Sequence, residues 1–338
     1  MRVLFVTNRY PTESTPGDSP CIAQQRAALE DRGHQVDVLY INSRATKLCY
    51  LQALGQVFWR AQILRRYDVV HAHYGFYCGL VARAQCNTPL LVTYRGSDVF
   101  DKNQLSVSRF VAKWATGIIV MNRQMKELLG RDDARVVPYG VDLEMFRPLP
   151  KEDARKQLGL PADVPLILFP YAPTRRGKRF GLIQQAVEIL KGEFPGVEVV
   201  VIHEKPYESI PYYMNACDAL LLTSITEGAP LSVREALACN MPIVSVDVGD
   251  VAEVIAGVEG CFVVERNPDE IAEKLAQVFR QNKRTQGREV ALKMDNAQVA
   301  QEIERIYEKL SSAYATRTAS PRPELVARRD SVVQESSR

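Results

Sequence analysis

Two doubly wound α/β domains, each built on a parallel sheet, account best for this 338-residue chain. Short apolar runs alternate with helix-length segments as far as residue 312, the pattern of β-α-β units whose sheets are covered on both faces. A proline- and glycine-bearing pause at residues 138–150 interrupts the alternation once, and the length suits two domains better than one. Open parallel sheets take ligands outside the carboxyl ends of their strands. Two such domains facing across a cleft should therefore carry function on their strand-to-helix loops.

Taken in order, the first domain has strand candidates at Val3–Thr7, Val36–Ile41, Val69–Ala72, Leu90–Tyr94, Gly117–Met121 and Arg135–Pro138. Each is a continuous apolar or β-branched run too short for a helix. Between them, Ile22–Arg32, Leu51–Arg65 and Ser106–Trp114 have helix length and period. After the pause, strands are expected at Leu166–Phe169, Val197–Ile202, Ala219–Leu222, Ile243–Val246 and Cys261–Val264, with helices at Phe180–Leu190, Ser232–Ala238 and Pro268–Phe279. Asn296–Ser312 reads as a terminal amphipathic helix, with Val299, Ile303, Ile306, Tyr307 and Leu310 on one face. The divisions are then residues 1–150, residues 151–295, a terminal helix 296–315 packing back on the first domain, and a polar tail 316–338 expected to be disordered.

Composition narrows the function classes. With 46% apolar and 25% charged residues the chain is an ordinary globular protein. Its seven scattered cysteines form no C-x-x-C pair, which suits reduced thiols in a cytoplasmic protein and argues against a zinc site or disulfide framework. The opening apolar run is too short for a signal peptide, and no stretch is long enough to span a bilayer. Charge is uneven: residues 1–160 hold 22 Lys and Arg against 15 Asp and Glu, a net +7, while residues 161–338 hold 21 against 25, a net −4. The basic half should face something anionic, a lipid surface or a phosphate-bearing substrate, unless the asymmetry is only that of a solvated surface; nucleic acid is not expected.

The most informative loop is Thr223-Ser-Ile-Thr-Glu227-Gly228-Ala229-Pro230-Leu231-Ser232-Val233-Arg234-Glu235-Ala236, which follows a buried strand and opens a helix. Gly228 and Pro230 shape a tight approach, and free amides at Leu231 and Ser232 make an anion site. Glu227 and Glu235 can each accept paired hydroxyl hydrogen bonds from a sugar or ribose, or they can be a helix cap and a solvated glutamate. Arg175, Arg176, Lys178 and Arg179 form a basic turn after the first strand of the second domain, a phosphate clamp or a solvated turn.

Together with Met1-Arg-Val-Leu-Phe-Val-Thr7, Arg32-Gly33-His34, Asp68-Val-Val-His71-Ala-His73, Val137-Pro-Tyr-Gly140-Val-Asp142, Tyr213-Met-Asn-Ala-Cys-Asp218 and Glu235-Ala-Leu-Ala-Cys-Asn-Met-Pro242, the two glutamates seven residues apart resemble the retaining family 4 glycosyltransferases of the GT-B fold. The resemblance covers residues 1–312. It implies two Rossmann-like domains facing across a cleft, acceptor side first and nucleotide-sugar donor side second. Glu235 would hold the donor ribose, Glu227 the transferred sugar, and Lys178 with Arg175 the diphosphate, beside Gly228, Pro230, Leu231 and Ser232. Many members have an arginine where this chain has Ala172 or Pro173, and a histidine where it has Arg95, so Arg175 and Arg95 are substitutes.

A guanidinium is no base near neutral pH; Arg95 would instead bind phosphate or acceptor, or pair with Asp98. The loop containing Gly17 sits where the family's loop approaches the diphosphate, and otherwise reads as an ordinary surface loop. His73 enters the cleft if its strand ends at Ala72, and otherwise shares a face with the core histidine His71. The implied reaction is retaining transfer of a sugar from a nucleoside-diphosphate sugar to a glycan, lipid-linked or small-molecule acceptor. No cofactor or metal is called for, since no Asp-x-Asp triplet occurs. A sugar-nucleotide epimerase or a non-catalytic binding protein would keep the same donor loops, whereas a dehydrogenase is disfavoured because no G-x-G-x-x-G follows the first strand. Leu51–Arg65, with Leu51, Leu54 and Phe58 at helical spacing and basic residues at its end, is either a core-facing helix or a peripheral contact with an anionic membrane at its inner face.

Overall fold

The computed structural model describes residues 1–15, 17–42 and 48–319. The first unit runs β1 (Arg2–Thr7), α1 (Pro20–Asp31), β2 (Gln35–Tyr40), α2 (Cys49–Val57), β3 (Val69–His73), α3 (Tyr77–Ala82), β4 (Leu90–Thr93), α4 (Ser97–Phe100), α5 (Lys102–Ala112), β5 (Gly117–Val120), α6 (Arg123–Leu129) and β6 (Arg135–Val136). Its strands form one parallel sheet in the order β2-β1-β3-β4-β5-β6. The second unit runs α7 (Lys151–Leu158), β7 (Leu166–Phe169), α8 (Phe180–Leu190), β8 (Glu198–Val201), α9 (Ile210–Ala216), β9 (Ala219–Leu222), α10 (Leu231–Ala238), β10 (Ile243–Val246), α11 (Val251–Val254), β11 (Cys261–Val264), α12 (Pro268–Gln281) and α13 (Gly287–Ala291). Its parallel sheet has the order β11-β10-β9-β7-β8.

Both orders reverse direction once, between β1 and β3 in the first sheet and between β7 and β9 in the second. At such a switch point the two flanking loops diverge to opposite faces and leave a crevice. The loops after β7 and β9 are those that carry Lys178 and Glu227, so topology alone puts the phosphate-clamp and two-glutamate segments side by side.

The last helix, α14 (Asn296–Ala319), returns to the first domain. It lies along α1, and Ala300, Ile303, Ile306, Tyr307 and Leu310 join the core of the first sheet. Polar contacts fix its register: the Tyr307 hydroxyl lies 2.7 Å from His71 Nδ1, and Glu304 accepts from Arg32 and lies 3.0 Å from His34 Nε2. The helix passes the residues first read as tail, since Thr316 to Ala319 continue it; residues 320–338 lie outside the described residues.

The chain crosses between domains near the start of the pause at residues 138–150, about ten residues before the division placed after residue 150. Val141, Leu143 and Phe146 belong to the core of the second domain, and Arg288 donates to the carbonyls of Leu143 and Phe146. Val137 belongs to the core of the first domain and Tyr139 packs against it. The outward crossing at Gly140–Val141 lies against the return crossing at Asp295–Asn296: Asn296 N donates to Val141 O at 3.1 Å, and a Cβ on Gly140 would stand 2.8 Å from Asn296 Cα. The two domains are thus joined by paired backbone segments, with glycine required where they touch.

Candidate active site at the domain interface

Two loops of the second domain are stitched together at the backbone of the Lys178 turn. Ile225 N donates to Gly177 O at 2.9 Å, and Thr223 Oγ1 donates to Lys178 O at 2.8 Å. Arg266, which sequence reasoning did not single out, holds the carbonyls of Ser224 and Ile225 from the other side. A short 3-10 turn at Arg176–Lys178 then directs Lys178 inward, while Arg175, Arg176 and Arg179 remain exposed. The three arginines are thus solvated and the lysine is not.

Lys178 is only 6% exposed. Its ammonium ion-pairs with Glu227 Oε1 and lies 3.6 Å from the centroid of the Tyr171 ring, whose face attracts a cation. Ser224 Oγ donates to the same carboxylate oxygen at 2.7 Å. Burial pulls the lysine pKa down, and Glu227 pulls it partly back. Burial and the neighbouring carboxylate push the Tyr171 hydroxyl well above its ordinary value. Arg175 reaches only the outer side of this group, 5.8 Å from the Tyr171 ring.

Beyond Glu227 the chain has no room for a side chain. A Cβ on Gly228 would stand 2.7 Å from Arg95 O of the first domain, and one on Gly249 would stand 2.8 Å from Gly228 O. Asn122 Nδ2, also from the first domain, donates to Gly228 O at 2.5 Å. This loop therefore touches both domains through its backbone. Pro230 then opens α10 with no side-chain cap and no acidic residue in the first turn, so the capping alternative for Glu227 does not apply and the helix start is left uncapped. Ser232 Oγ is buried close to the Tyr171 hydroxyl.

Glu235, 4% exposed, lies deeper on α10. Its Oε1 accepts from the Tyr207 hydroxyl at 2.6 Å, and that hydroxyl accepts from Gln24 Nε2 of α1 at 3.0 Å, a polar link from one domain to the other. Burial raises the Glu235 pKa from 4.5 to about 7, with the Tyr207 hydrogen bond pulling the other way. Between those values the folded state holds a proton that the unfolded state has lost, so stability falls as pH rises from 4.5 to about 7 and stays lower above it. A shift of this size corresponds to roughly 3 kcal/mol. Glu235→Gln is expected to remove this part of the pH dependence, read as a urea midpoint that no longer drops between about pH 4.5 and pH 7.5.

Arg95 is placed differently from the expectation. Asp98 does not pair with its guanidinium; the carboxylate accepts from the backbone amides of Arg95, Gly96 and Gly75 at 3.0, 2.9 and 2.8 Å. The guanidinium, 6% exposed, donates to His73 Nδ1 at 2.7 Å and Gln25 Oε1 at 3.1 Å, and lies 5.0 Å from the Tyr139 ring. It borders a cavity of about 20 Å³ shared with Cys21, Gln25, Tyr139 and Asn296. Only its carbonyl approaches the Glu227 loop, so Arg95 is a buried positive charge beneath the interface and not a partner of Glu227.

His73 does not enter the crevice. β3 continues through it because His73 pairs with Thr93 on β4, and the ring packs between Phe5 and His71 at centroid distances of 4.4 and 4.3 Å. Burial, then His71 and Arg95, hold its pKa well below the ordinary value, so it is neutral and accepts from Arg95. His71 is a satisfied core residue between Tyr307 and Thr93. Gly17 is exposed, and a Cβ there would meet nothing within 4 Å. Neither space nor backbone demands glycine at that position. Of the residues that sequence reasoning missed, Tyr207, Gln24 and Asn122 contribute by crossing between domains, and Arg266 by bracing the Glu227 loop within the second.

Comparisons with known proteins agree with this geometry. The family model described as "Glycosyl transferases group 1" matches residues 183–294, and "Glycosyltransferase Family 4" matches residues 19–145, one in each domain. The chain belongs to the group 1, family 4-like glycosyltransferases. It is 24% identical over 347 residues to the putative teichuronic acid biosynthesis glycosyltransferase TuaC of Bacillus subtilis, covering 82% of this chain and 89% of that one. Against the D-inositol 3-phosphate glycosyltransferase of Nocardiopsis dassonvillei the identity is 27%, over 63% of this chain and 62% of that one. Among solved structures, sucrose-phosphate synthase from Thermosynechococcus elongatus superimposes with a TM-score of 0.74 at 21% identity, over 92% of this chain and 99% of that one. Anabaena HepE in complex with UDP and glucose gives 0.69 at 18%, over 91% and 99%. The fold is GT-B, two Rossmann-like domains, and the protein is a glycosyltransferase.

Proposed function

We propose that this glycosyltransferase moves a sugar from a nucleoside-diphosphate sugar to a hydroxyl acceptor with retention at the anomeric carbon, and that it uses its own cation and backbone amides where other enzymes use a metal. The observation that supports the reading is the pairing of the Lys178 ammonium with Glu227 on adjoining loops, next to the uncapped start of α10, with Glu235 buried further along that helix. A diphosphate fits the ammonium and the amides, a ribose diol fits Glu235, and the hydroxyls of the transferred sugar fit Glu227.

In the reaction the bond between the anomeric carbon and the diphosphate oxygen breaks, and the electron pair leaves with the diphosphate. The acceptor oxygen bonds to the same face of that carbon, and its proton passes to the departing phosphate oxygen. Such a transition state needs charge stabilisation on the leaving group more than a strong acid. Lys178 and the amides of Leu231 and Ser232 are suited to that task. Arg95 contributes a fixed positive charge beneath the crevice and orders the α1 residues Gln25 and Cys21.

HepE has been seen with UDP-glucose, so a uridine diphosphate sugar is the donor to test first. Thermal denaturation against UDP-, GDP- and ADP-sugars tests the reading. The cognate donor at about 100 times its dissociation constant should add about 2.7 kcal/mol of apparent stability. No shift with any nucleoside-diphosphate sugar would contradict it. Product analysis with and without acceptor separates transfer from epimerisation of the donor.

A further inference from the structure

The segment from α2 to Leu64 is built inside out for a core helix. α2 continues into a π-helical turn at Phe58–Ile63, and the residues it buries are the small ones, Ala53, Val57 and Ala61. The large apolar side chains face outward: Leu51 is 65% exposed, Trp59 59%, Ile63 49% and Phe58 48%. The segment does face the core, through Ala53, Val57 and Ala61 with Leu54 partly buried beside them, while Leu51 and Phe58 stand exposed on the other side.

This face does not end with α2. In a sheet ordered β2-β1-β3-β4-β5 the right-handed crossover rule puts α1 on one side and α2, α3 and α5 on the other. α1 is covered by α14, whereas α2, α3 and α5 follow one another across the uncovered side. Along it stand the Tyr77 ring on α3 and the edge-on pair Phe110 and Trp114, 3.9 Å apart, with Arg83 over Trp114 at 5.6 Å. Of the fourteen large apolar side chains exposed among the described residues, nine fall between Leu48 and Trp114.

Charge completes the picture. Residues 38–126 contain twelve Lys and Arg and three Asp and Glu, a net +9, more than the +3 of the whole chain. Asp98 and Arg95 are both buried, so removing the pair leaves that net charge unchanged. No acidic residue lies between Asp37 and Asp68, so Arg60 within the exposed apolar turn and Arg65 and Arg66 just after it stand in a stretch whose first acid on the far side is Asp68.

We propose that the α2–α3–α5 face docks on an anionic lipid bilayer, with Leu51, Phe58, Trp59 and Ile63 entering the interface between headgroups and acyl chains and the arginines meeting lipid phosphates. Indole and phenyl rings beside arginines are the side chains that favour that interface, and a surface both strongly cationic and coated with large aliphatic groups fits a bilayer better than nucleic acid or an acidic protein. No described helix is long and apolar enough to cross a membrane, so the contact is lateral. Asn8 Nδ2 donates to the Tyr50 hydroxyl at 3.1 Å, joining the start of α2 to the loop after β1. The docked face therefore borders the carboxyl edge of the sheet, where the crevice opens.

The two tryptophans of the chain, Trp59 and Trp114, both lie on this face, so intrinsic fluorescence reports on it directly. The full-length protein is titrated with phosphatidylcholine vesicles containing phosphatidylglycerol, with pure phosphatidylcholine vesicles, and with single-stranded DNA, at low and high salt. Expected are a blue shift of the emission and cosedimentation with the anionic vesicles only, weakened by salt, and quenching of the tryptophans by lipids brominated on their acyl chains. Arg65→Glu with Arg66→Glu should weaken vesicle binding at least about tenfold. Leu51→Gln with Ile63→Gln, both at exposed positions, should abolish the quenching, with thermal denaturation confirming that each variant folds. No binding to anionic vesicles at low salt, binding without a change in tryptophan emission, or binding to DNA alone would each overturn the proposal. Donor binding, measured separately, is independent of all these outcomes.

Discussion

Lys178→Ala is expected to lower turnover about 100- to 1000-fold at saturating donor, the loss typical when one pre-organised donor to a developing anion is removed. The lysine is 6% exposed and held between the Tyr171 ring and Glu227, so its charge acts where water screens it little. Lys178→Arg should rescue little, because the enclosed space between the Tyr171 ring and Glu227 holds a compact ammonium and the longer, broader guanidinium would shift the charge. Glu227→Gln should cost activity of similar order. The double variant should be hardly worse than either single one, since lysine and glutamate act as one unit. Initial rates of donor consumption, with the melting temperature of each variant recorded alongside, measure this.

The largest effect on stability should come from Arg234→Met. Arg234 is fully buried, donates to both oxygens of Asp250 and reaches Pro230 O at 3.3 Å. Removing it leaves the Asp250 carboxylate, whose side chain is 10% exposed, without its counter-ion. Breaking a buried pair in this way costs about 3–5 kcal/mol. Asp250→Asn should be milder, because the amide oxygen still accepts from the arginine. Since Arg234 also ties the first turn of α10 to the residue after Gly249, Arg234→Met should weaken donor binding at temperatures where the protein is still folded. Urea unfolding and calorimetric titration distinguish the two losses.

The strands of the second domain were legible because they are isolated four-residue apolar runs. Leu166–Phe169, Ala219–Leu222, Ile243–Val246 and Cys261–Val264 form at the expected residues. A continuous apolar run bounded by turn residues leaves no choice of face or phase. α2 was less legible: helical spacing locates two faces but does not say which one is inward, and here the small residues are. The extent of β3 depends on pairing with β4, which places His73 opposite Thr93, and no local feature of Asp68-Val-Val-His-Ala-His fixes that.

The site shows the same division. Lys178, Glu227, Ser232 and Glu235 could be read because each lies in a short segment whose loop or helix start is locally encoded. Tyr207, Gln24 and Asn122 could not. Gln24 and Tyr207 are 183 residues apart, and Asn122 and Gly228 are 106 apart, so their contacts exist only once the domains are set against each other. The crossing at Gly140–Val141 did have a signal: Val141, Leu143 and Phe146 are too apolar for a solvated linker.

A co-crystal structure with a uridine diphosphate sugar tests the central claim most directly. The account predicts a pyrophosphate at Lys178 and the first amides of α10, the ribose on Glu235 with the Tyr207 hydroxyl displaced or shared, and the sugar against Glu227. A diphosphate bound away from Lys178, with its ion pair to Glu227 and the Glu235 to Tyr207 contact both undisturbed, would contradict it.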